Sequence, residues 1–231
     1  MNYKMSPTNR LIIGISGSSA PQLALTMLHT LKEVESIEVH LVVSKGAEKS
    51  IEYEIGMTRK EVEAFGDIVY DPEDLGAAIS SGSFKTMGMI VIPCSMRTLA
   101  AIASGYTPDL LTRTADVCLK ERRKLVMVTR ETPLSLIHLR NMETVTLAGA
   151  TILPPVPAFY HHPQTIDDLL KQTVGKVLDQ FEIDHKLFKR IGSKMVIDAT
   201  KPATSFPEER EEYERIRPVG DGEVFLADFL D

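Results

Sequence analysis

The sequence predicts a doubly wound α/β domain: a mostly parallel sheet with helices on both faces, in three layers. Two observations predict it. Short apolar runs alternate with longer stretches of helical periodicity, and the central runs are apolar at consecutive positions, as strands buried on both faces require. The predicted strands are 11–16, 37–44, 67–70, 89–93, 125–129 and 150–155. The predicted helices are 20–34, 46–53, 58–65, 95–104, 108–121, 135–147 and 165–181.

Individual residues support the ends of these elements. The first strand, LIIGIS, runs into the turn Gly17-Ser18-Ser19-Ala20, and Pro21 suits the first turn of the helix that follows. Thr165 is the predicted N-cap of the last helix, with two aspartates in its first turn. The stretch 154–163 has too many prolines for a helix or a central strand, so we expect a rigid extended loop there.

The charge of the chain divides it into a body and a tail. The 231 residues carry a net charge of −6, and residues 193–231 hold ten acidic and five basic side chains. We therefore predict an α/β domain over 1–192 and an acidic, partly irregular C-terminal tail over 193–231. A short charged helix at 207–215 and an apolar patch near the end of the chain, VFLADFL, are expected within this tail.

Composition excludes several classes of function. No apolar run is long enough to span a membrane, no signal-peptide pattern opens the sequence, and no basic face suggests nucleic acid. Cys94 and Cys118 lie in apolar surroundings without metal-ligand spacing, so buried free thiols are expected and no metal site is predicted. A cytoplasmic protein is the expectation.

Small hydroxyl residues follow several of the predicted strands. They are Ser16, Ser18 and Ser19 after the first strand, Ser44 after the second, Ser95 and Thr98 after the fourth, and Thr132 after the fifth. Ligands of open parallel sheets bind beyond the carboxyl ends of the strands, and hydroxyls with free backbone N–H groups are what a phosphate monoester needs. Each serine alone could be a helix cap. Together they favour a mononucleotide-type phosphate site.

Other nucleotide and nucleophile motifs do not fit. A dinucleotide turn would need a third glycine where Ala20 and Pro21 stand, the Gly-Lys-Ser/Thr of a P-loop is absent, and so is a G-x-S-x-G elbow.

Two further sets of charged residues are candidates. If 108–121 is helical, Arg113 and Lys120 share a face with Asp116 between them, either as an exposed helix end or as a buried cationic pair that binds an anion. Glu131 directly follows a buried strand, where a carboxylate serves as a general acid or base or simply caps the next helix.

The motifs taken together resemble the flavin prenyltransferase family of the UbiX type. The matching stretches run in order over residues 11–181: GISGSS, HLVVSKGAEKS, SGSF, PCSMRT, ADVCLKERR, RETPL and PPVPAFY. The resemblance implies a Rossmann-like or flavodoxin-like fold, in agreement with the strand pattern.

The resemblance also implies the ligand and the residues that hold it. The cofactor would be FMN, bound by Gly17, Ser18, Ser19, Ser44, Ser95, Met96, Arg97, Thr98 and Arg130. Arg113, Lys120, Tyr160 and Lys176 would hold the phosphate of dimethylallyl monophosphate, and Ser19 and Glu131 would move a proton to the leaving phosphate. The family alkylates reduced FMN, passes the prenylated flavin to a separate decarboxylase, and forms homo-oligomers, typically dodecamers with sites at subunit boundaries.

The chain departs from the family pattern at three places. The first turn usually reads Gly-Ala-Ser-Gly, whereas Ala20 and Pro21 follow Ser19 here. Many members have a tryptophan after the last helix, near the position of Ile191, and this chain has none. Lys176 provides a point charge rather than a bidentate fork. A flavin carrier without prenyl transfer and a flavin-dependent cysteine decarboxylase are therefore the alternatives.

Overall fold

The computed structural model describes residues 9–190. It contains six strands: β1 (Arg10–Ile15), β2 (Glu38–Val43), β3 (Ile68–Tyr70), β4 (Gly88–Cys94), β5 (Lys124–Thr129) and β6 (Thr151–Ile152). The helices are α1 (Gln22–Lys32), α2 (Ala47–Ile55), α3 (Arg59–Glu63), α4 (Met96–Ser104), α5 (Leu110–Lys120), α6 (Leu136–Leu147) and α7 (Ile166–Asp179). The predicted tail over 193–231, with its charged helix and apolar patch, and the position of Ile191 lie outside the described residues.

All six strands form one parallel sheet in the order β3-β2-β1-β4-β5-β6. The first crossovers build outward from β1 to β2 and β3, and the chain then returns to place β4 on the other side of β1. This reversal creates a topological switch point between β1 and β4, where the loops after the two strands lead away in opposite directions. The predicted doubly wound sheet is confirmed.

Side chains of alternate strand positions fill two separate cores, one on each face of the sheet. On β1, Leu11, Ile13 and Ile15 pack with α1, α2, α3 and α7, while Ile12 packs on the opposite face with α4, α5 and α6. The neighbouring strands alternate in the same way. Because both faces are buried, the strands are apolar at consecutive positions, which is the pattern that predicts them.

Gly14 allows the second layer to pack closely against the sheet. A Cβ atom at this position would lie 2.6 Å from Cε of Met89 and 3.2 Å from Cδ1 of Leu111. Leu111 is fully buried on α5, so any side chain at Gly14 would push this helix away from β1. The glycine inside LIIGIS therefore serves packing and not a ligand.

The predicted element bounds agree with the structure within a few residues, except at the last strand. β6 has two residues instead of the predicted six, because Pro154 and Pro155 cannot extend a hydrogen-bonded ladder. The predicted Thr165 N-cap is confirmed: its hydroxyl accepts a hydrogen bond from the Asp168 N–H at 3.2 Å. Both cysteines are free and buried, and burial raises the pKa of the Cys118 thiol to about 12. Between residues 9 and 190, no helix is both long and apolar enough to cross a bilayer.

Ile51 fixes α2 to the sheet and tests the packing of this layer. Its side chain is 1% exposed in the core beneath α2, whereas Lys49 on the same helix is exposed. We expect Ile51→Ala to lower the free energy of unfolding by about 2–5 kcal/mol, since it removes buried methyl groups and leaves a cavity. Lys49→Ala should change it by less than about 0.5 kcal/mol. Denaturant titration of both variants measures the difference, and equal effects would contradict the packing described.

A candidate active site at the carboxyl edge of the sheet

The loops after β1, β2, β4 and β5 meet at one edge of the sheet, around the switch point. The Ser44 N–H donates to the Ile15 carbonyl at 2.9 Å, and the Arg130 N–H donates to the Cys94 carbonyl at 3.1 Å. Each loop is therefore held by the neighbouring strand end. The structure brings together the four predicted strand-end segments, which carry Gly17 to Ser19, Ser44, Ser95 to Thr98, and Arg130.

Ser16 joins β1 and β4, the two paired strands whose following loops diverge at the switch point. Its hydroxyl donates to the Pro93 carbonyl at 2.9 Å and accepts from the Ser95 N–H at 2.8 Å. The residue is 1% exposed, so this serine is a structural connection and not a ligand contact.

Gly17 permits the first turn to lie directly against the loop after β2. A Cβ atom at Gly17 would stand 2.3 Å from the carbonyl oxygen of Gly46, and backbone atoms cannot move aside as a side-chain tip can. Glycine is required here because two backbones approach each other, which is also what a small bound group would need from this turn.

The next two residues of the turn make separate contacts. The Ser18 hydroxyl donates to the Arg130 carbonyl at 3.1 Å and links the turn to the loop after β5. The Ser19 hydroxyl donates to Oε2 of Glu54 at 3.0 Å, and the Ala20 N–H donates to the same oxygen at 2.8 Å. Ser19, one of the two predicted catalytic residues, is thus paired with a carboxylate.

Glu54 is a candidate functional residue that the sequence reasoning missed. It lies at the end of α2, 35 residues after Ser19, in a stretch of alternating charge that reads as a solvated helix face. No local motif marks it. The contact forms only in the folded chain, where the end of α2 lies against the start of α1 and the Gln22 side-chain amide donates to the Glu54 carbonyl at 3.1 Å.

The loop after β4 provides the start of a helix. Ser95 is the N-cap of α4: its hydroxyl accepts from the Thr98 N–H at 3.2 Å and donates to the Thr98 hydroxyl at 3.1 Å. Met96 and Arg97 form the first helical positions, whose N–H groups have no acceptor within the helix and face the switch point. Arg97 is exposed. The cap interpretation of Ser95 is correct, and it leaves the helix N-terminus available to an anion.

Arg130 and Glu131 follow β5 and are both exposed at the same edge. Glu131 does not cap α6, because Ser135 has that role through a capping box with His138. Among residues 9–190, the one hydrogen bond that the Glu131 carboxylate accepts comes from the Thr132 N–H, at 3.1 Å. It stands next to the Arg130 carbonyl that binds Ser18, so the second predicted catalytic residue lies beside the first turn.

Two of the predicted substrate-phosphate residues, Lys120 and Lys176, do not join this group. Arg113 and Lys120 are both on α5, but α5 runs toward the beginning of β5, so Lys120 lies at the amino edge of the sheet. Neither is a buried cation: their side chains are 35% and 45% exposed and pair with Asp116 and Glu121. The expectation of a buried Arg/Lys pair is wrong, because this face of α5 is open to solvent.

Gly82 joins Lys120 at the amino edge. A Cβ atom at Gly82 would lie 2.8 Å from the Lys120 ammonium nitrogen, and the Gly82 carbonyl accepts from Arg123. The Glu121 carboxylate is nearer still, with Oε1 at 2.3 Å from such a Cβ atom. The SGSF stretch therefore places a bare backbone segment against two cationic side chains and one carboxylate, and the sequence reasoning had not assigned it to the site.

Lys176 also lies toward the amino edge, near the end of α7. Its ammonium group is 3.5 Å from Oδ2 of Asp179, and the next residue, Gln180, accepts from Lys124 at the start of β5. Tyr160, 42% exposed, precedes α7 and packs edge-on against His161 with ring centroids 5.5 Å apart.

One chain thus presents two separated sets of predicted site residues. The strands between them have six residues at about 3.3 Å each, so the two edges stand about 20 Å apart. The carboxyl-edge set carries the serines, Arg130 and the acids, and the other set carries Lys120 and Lys176.

Comparison with known proteins agrees with the fold and gives the family of the chain. The flavoprotein family model matches residues 1–178. Flavin prenyltransferase UbiX of Salmonella typhimurium is 51% identical over 183 residues, which is 78% of this chain and 97% of the relative. The crystal structure of AnUbiX (PadA1) in complex with FMN and dimethylallyl pyrophosphate superposes with a TM-score of 0.77 at 51% identity and covers 79% of this chain and 97% of that one. A dodecameric FMN-dependent UbiX-like decarboxylase from Escherichia coli O157:H7 gives 0.77 at 49% identity, with 78% and 98% covered.

The chain belongs to the UbiX flavin prenyltransferase family. The resemblance in its motifs is therefore confirmed over the described domain. Against the usual UbiX turn, Gly-Ala-Ser-Gly, this chain has alanine at the fourth position, and there Ala20 adopts a φ of +70°. Only glycine adopts this left-handed conformation without a steric cost, so the departure from the family adds strain to the turn.

Replacing Ala20 with the glycine usual in the UbiX family tests this strain. Left-handed backbone costs an L-residue about 1–2 kcal/mol, part of which is offset by the greater freedom of glycine in the unfolded chain. We expect Ala20→Gly to raise the free energy of unfolding by about 1 kcal/mol. The same change in the interior of α1, Ala24→Gly, should lower it by at least about 1 kcal/mol. Denaturant titration of both measures the sign, and a loss at both positions would show that the turn is not strained.

Proposed function

We infer that this protein is a flavin prenyltransferase that transfers a dimethylallyl group from dimethylallyl monophosphate to reduced FMN. The observation that carries the inference is the first turn. Residues 17–20 lie at the switch point, and the Ser19 hydroxyl donates a hydrogen bond to the Glu54 carboxylate. Family membership at 51% identity to UbiX and the FMN bound in AnUbiX support it.

The carboxyl edge has the chemistry that FMN requires. Its phosphate needs hydroxyls and free N–H groups, which Ser44, Ser18 and the first turn of α4 supply, and Arg97 and Arg130 add positive charge. Gly17 lets the first turn pack against the backbone of the loop that carries Ser44 and Gly46. We propose that the full cofactor-binding set predicted from the sequence acts here. Reduced FMN, when bound, supplies the ring nitrogen that accepts the dimethylallyl group.

We propose that three residues transfer the proton that the leaving phosphate takes up: Ser19, Glu54 and Glu131. When the carbon–oxygen bond of the substrate breaks, inorganic phosphate leaves and takes up a proton. Glu131 forms no ion pair within the described residues and stands next to the first turn, where we propose that it donates a proton to the leaving phosphate as a general acid. The Ser19 hydroxyl donates to the Glu54 carboxylate at 3.0 Å, so Ser19 can pass its proton to Glu54 and take up another.

Arg113, Lys120, Tyr160 and Lys176 are proposed to bind the phosphate of the substrate. A departing phosphate gains negative charge, and fixed cations stabilise it as the bond breaks. The tyrosine adds a hydroxyl donor and an aromatic face that tolerates an allylic cation.

The separation of the two residue sets favours a site built by several subunits. Lys120 and Lys176 cannot reach Ser19 or Glu131 of their own chain across the length of a strand. They can do so from neighbouring chains, and a UbiX-like relative is dodecameric. We therefore propose a homo-oligomer, in dodecameric form, whose active sites lie between subunits.

The prenylated flavin is proposed to leave for a separate decarboxylase. The reaction releases inorganic phosphate and leaves prenylated FMN as its product. We propose that a second enzyme, the decarboxylase, binds this flavin as its cofactor. A cytoplasmic location stays a prediction of the composition.

Mass spectrometry of the flavin tests the reaction. Incubated with reduced FMN and dimethylallyl monophosphate, the protein should add one prenyl unit to the flavin and release one phosphate. Glu131→Gln and Ser19→Ala should each slow transfer at least about tenfold, because a proton-transfer group typically contributes 10²–10⁴. FMN should remain bound, as titration of flavin absorbance would show. Bound flavin without any mass gain would instead identify a carrier, and wild-type rates in both variants would refute the assigned roles.

Mixed oligomers test whether chains share a site. Glu131→Gln and Lys176→Gln variants, each with its own affinity tag, are co-expressed and purified through both tags. If a site takes Glu131 and Lys176 from different chains, random mixing should restore about a quarter of wild-type activity. If both come from one chain, the mixture should be no more active than the two variants alone.

A further inference from the structure

The segment 182–190, which we call the strap, folds back onto α7 after the helix ends. Glu182 turns the chain with a φ of +57°, and Ile183 is buried with its N–H donating to the Leu178 carbonyl at 3.3 Å. Gly175 is the point of closest approach. A Cβ atom there would lie 2.5 Å from the Phe188 ring and 2.6 Å from the His185 ring. The strap therefore covers the turn of α7 that carries Lys176.

Asp179 ties the strap to the helix. Its two carboxylate oxygens accept from the two terminal nitrogens of Arg190, at 2.5 and 3.1 Å, in a bidentate pair. His185 lies 3.1 Å from Oδ1, and because its Nδ1 accepts from the Leu187 N–H, its Nε2 is assigned as the protonated donor. The guanidinium of Arg190 holds the pKa of the Asp179 carboxyl below its usual range.

Arg190 and Lys176 converge on a single atom. The Lys176 ammonium lies 3.5 Å from Oδ2 of Asp179, and Nη1 of Arg190 lies 3.1 Å from the same oxygen. Their side chains remain about half exposed, at 48% and 52%. Two cationic heads thus stand side by side, both accessible, with the carboxylates of Asp179 and Asp184 nearby.

A row of rings connects Arg190 to Tyr160. The guanidinium lies 5.4 Å from the centroid of the Phe188 ring, which packs against His161, and His161 packs against Tyr160. The strap therefore places a guanidinium beside Lys176, at one end of a row of rings whose other end is Tyr160.

We propose that Arg190 is a further substrate-binding residue, which supplies the bidentate donor for the phosphate of dimethylallyl monophosphate beside Lys176. Asp179 uses one N–H on each terminal nitrogen. Nη2 also lies 3.2 Å from Nε2 of His185, but both nitrogens donate to Asp179, so His185 takes no proton from Arg190 and three of the five guanidinium donors remain. Lys176 offers a compact charge, whereas the planar fork of Arg190 matches two phosphate oxygens at once. This inference rests on the proposed function, because it assigns the ligand of that same site.

Equilibrium binding to the full-length, FMN-loaded protein tests the proposal without relying on turnover. Dimethylallyl monophosphate, and separately inorganic phosphate, are titrated calorimetrically into wild type, Arg190→Gln, Arg190→Lys and Lys189→Gln. We expect Arg190→Gln to weaken both ligands about tenfold, because a charge-assisted fork is lost. Arg190→Lys should recover only part of the affinity. Lys189→Gln, which removes a neighbouring exposed charge from the strap, should bind as wild type does.

Two results would overturn the proposal. One is unchanged affinity in Arg190→Gln. The other is an equal loss in Lys189→Gln, which would show a general charge effect. FMN affinity is measured alongside as a check on folding, and Arg190→Lys keeps the test valid should the glutamine variant loosen the strap. If wild type binds the phosphate through Arg190 but never alkylates the flavin, the proposed function fails while this inference stands.

Discussion

The buried hydroxyl of Ser16 holds together the place where the chain reverses direction across the sheet. At a switch point the loops after β1 and β4 diverge, so backbone groups there lose the partners that a regular ladder would give them. Ser16 satisfies two of them, the Pro93 carbonyl and the Ser95 N–H, while 1% exposed. An apolar residue of similar size would leave the Ser95 N–H unpaired, at a cost of about 1–3 kcal/mol, while the Pro93 carbonyl would keep the Ser16 backbone N–H at 3.3 Å.

The positions of Ser18 and Ser19 in the first turn depend on this connection between β1 and β4. With β1 and β4 joined, the turn after Ser16 can approach the backbone at Gly46, and Ser18 can reach across to the Arg130 carbonyl. Three loops from different strands then form one surface, and hydrogen bonds between the loops hold them at fixed distances from one another. Ser19 is the member of the turn whose hydroxyl points to a carboxylate, and this separates its role from those of its neighbours.

Local patterns predict the parts of this protein that local physics determines. Strands buried on both faces must be apolar throughout, and loops at strand ends must carry caps and small residues, so the sheet, the serine turn and Glu131 can all be found in the sequence. Glu54 cannot, because its importance arises from a contact across 35 residues. The shortness of β6 follows from two prolines. The distance of Lys120 and Lys176 from the serines follows from the direction in which α5 and α7 run.

The direction of α7 also places two departures from the UbiX pattern, Ala20 and Lys176, far apart in the fold. The strained Ala20 lies at the carboxyl edge, with the residues proposed to bind FMN, whereas lysine at position 176 lies near the end of α7, about one strand length away. The two changes therefore lie at opposite edges of the sheet, and neither can compensate for the other within one chain. Compensation has to be local: Glu54 holds the amide of Ala20 in place, and Arg190 stands beside Lys176 on a shared carboxylate.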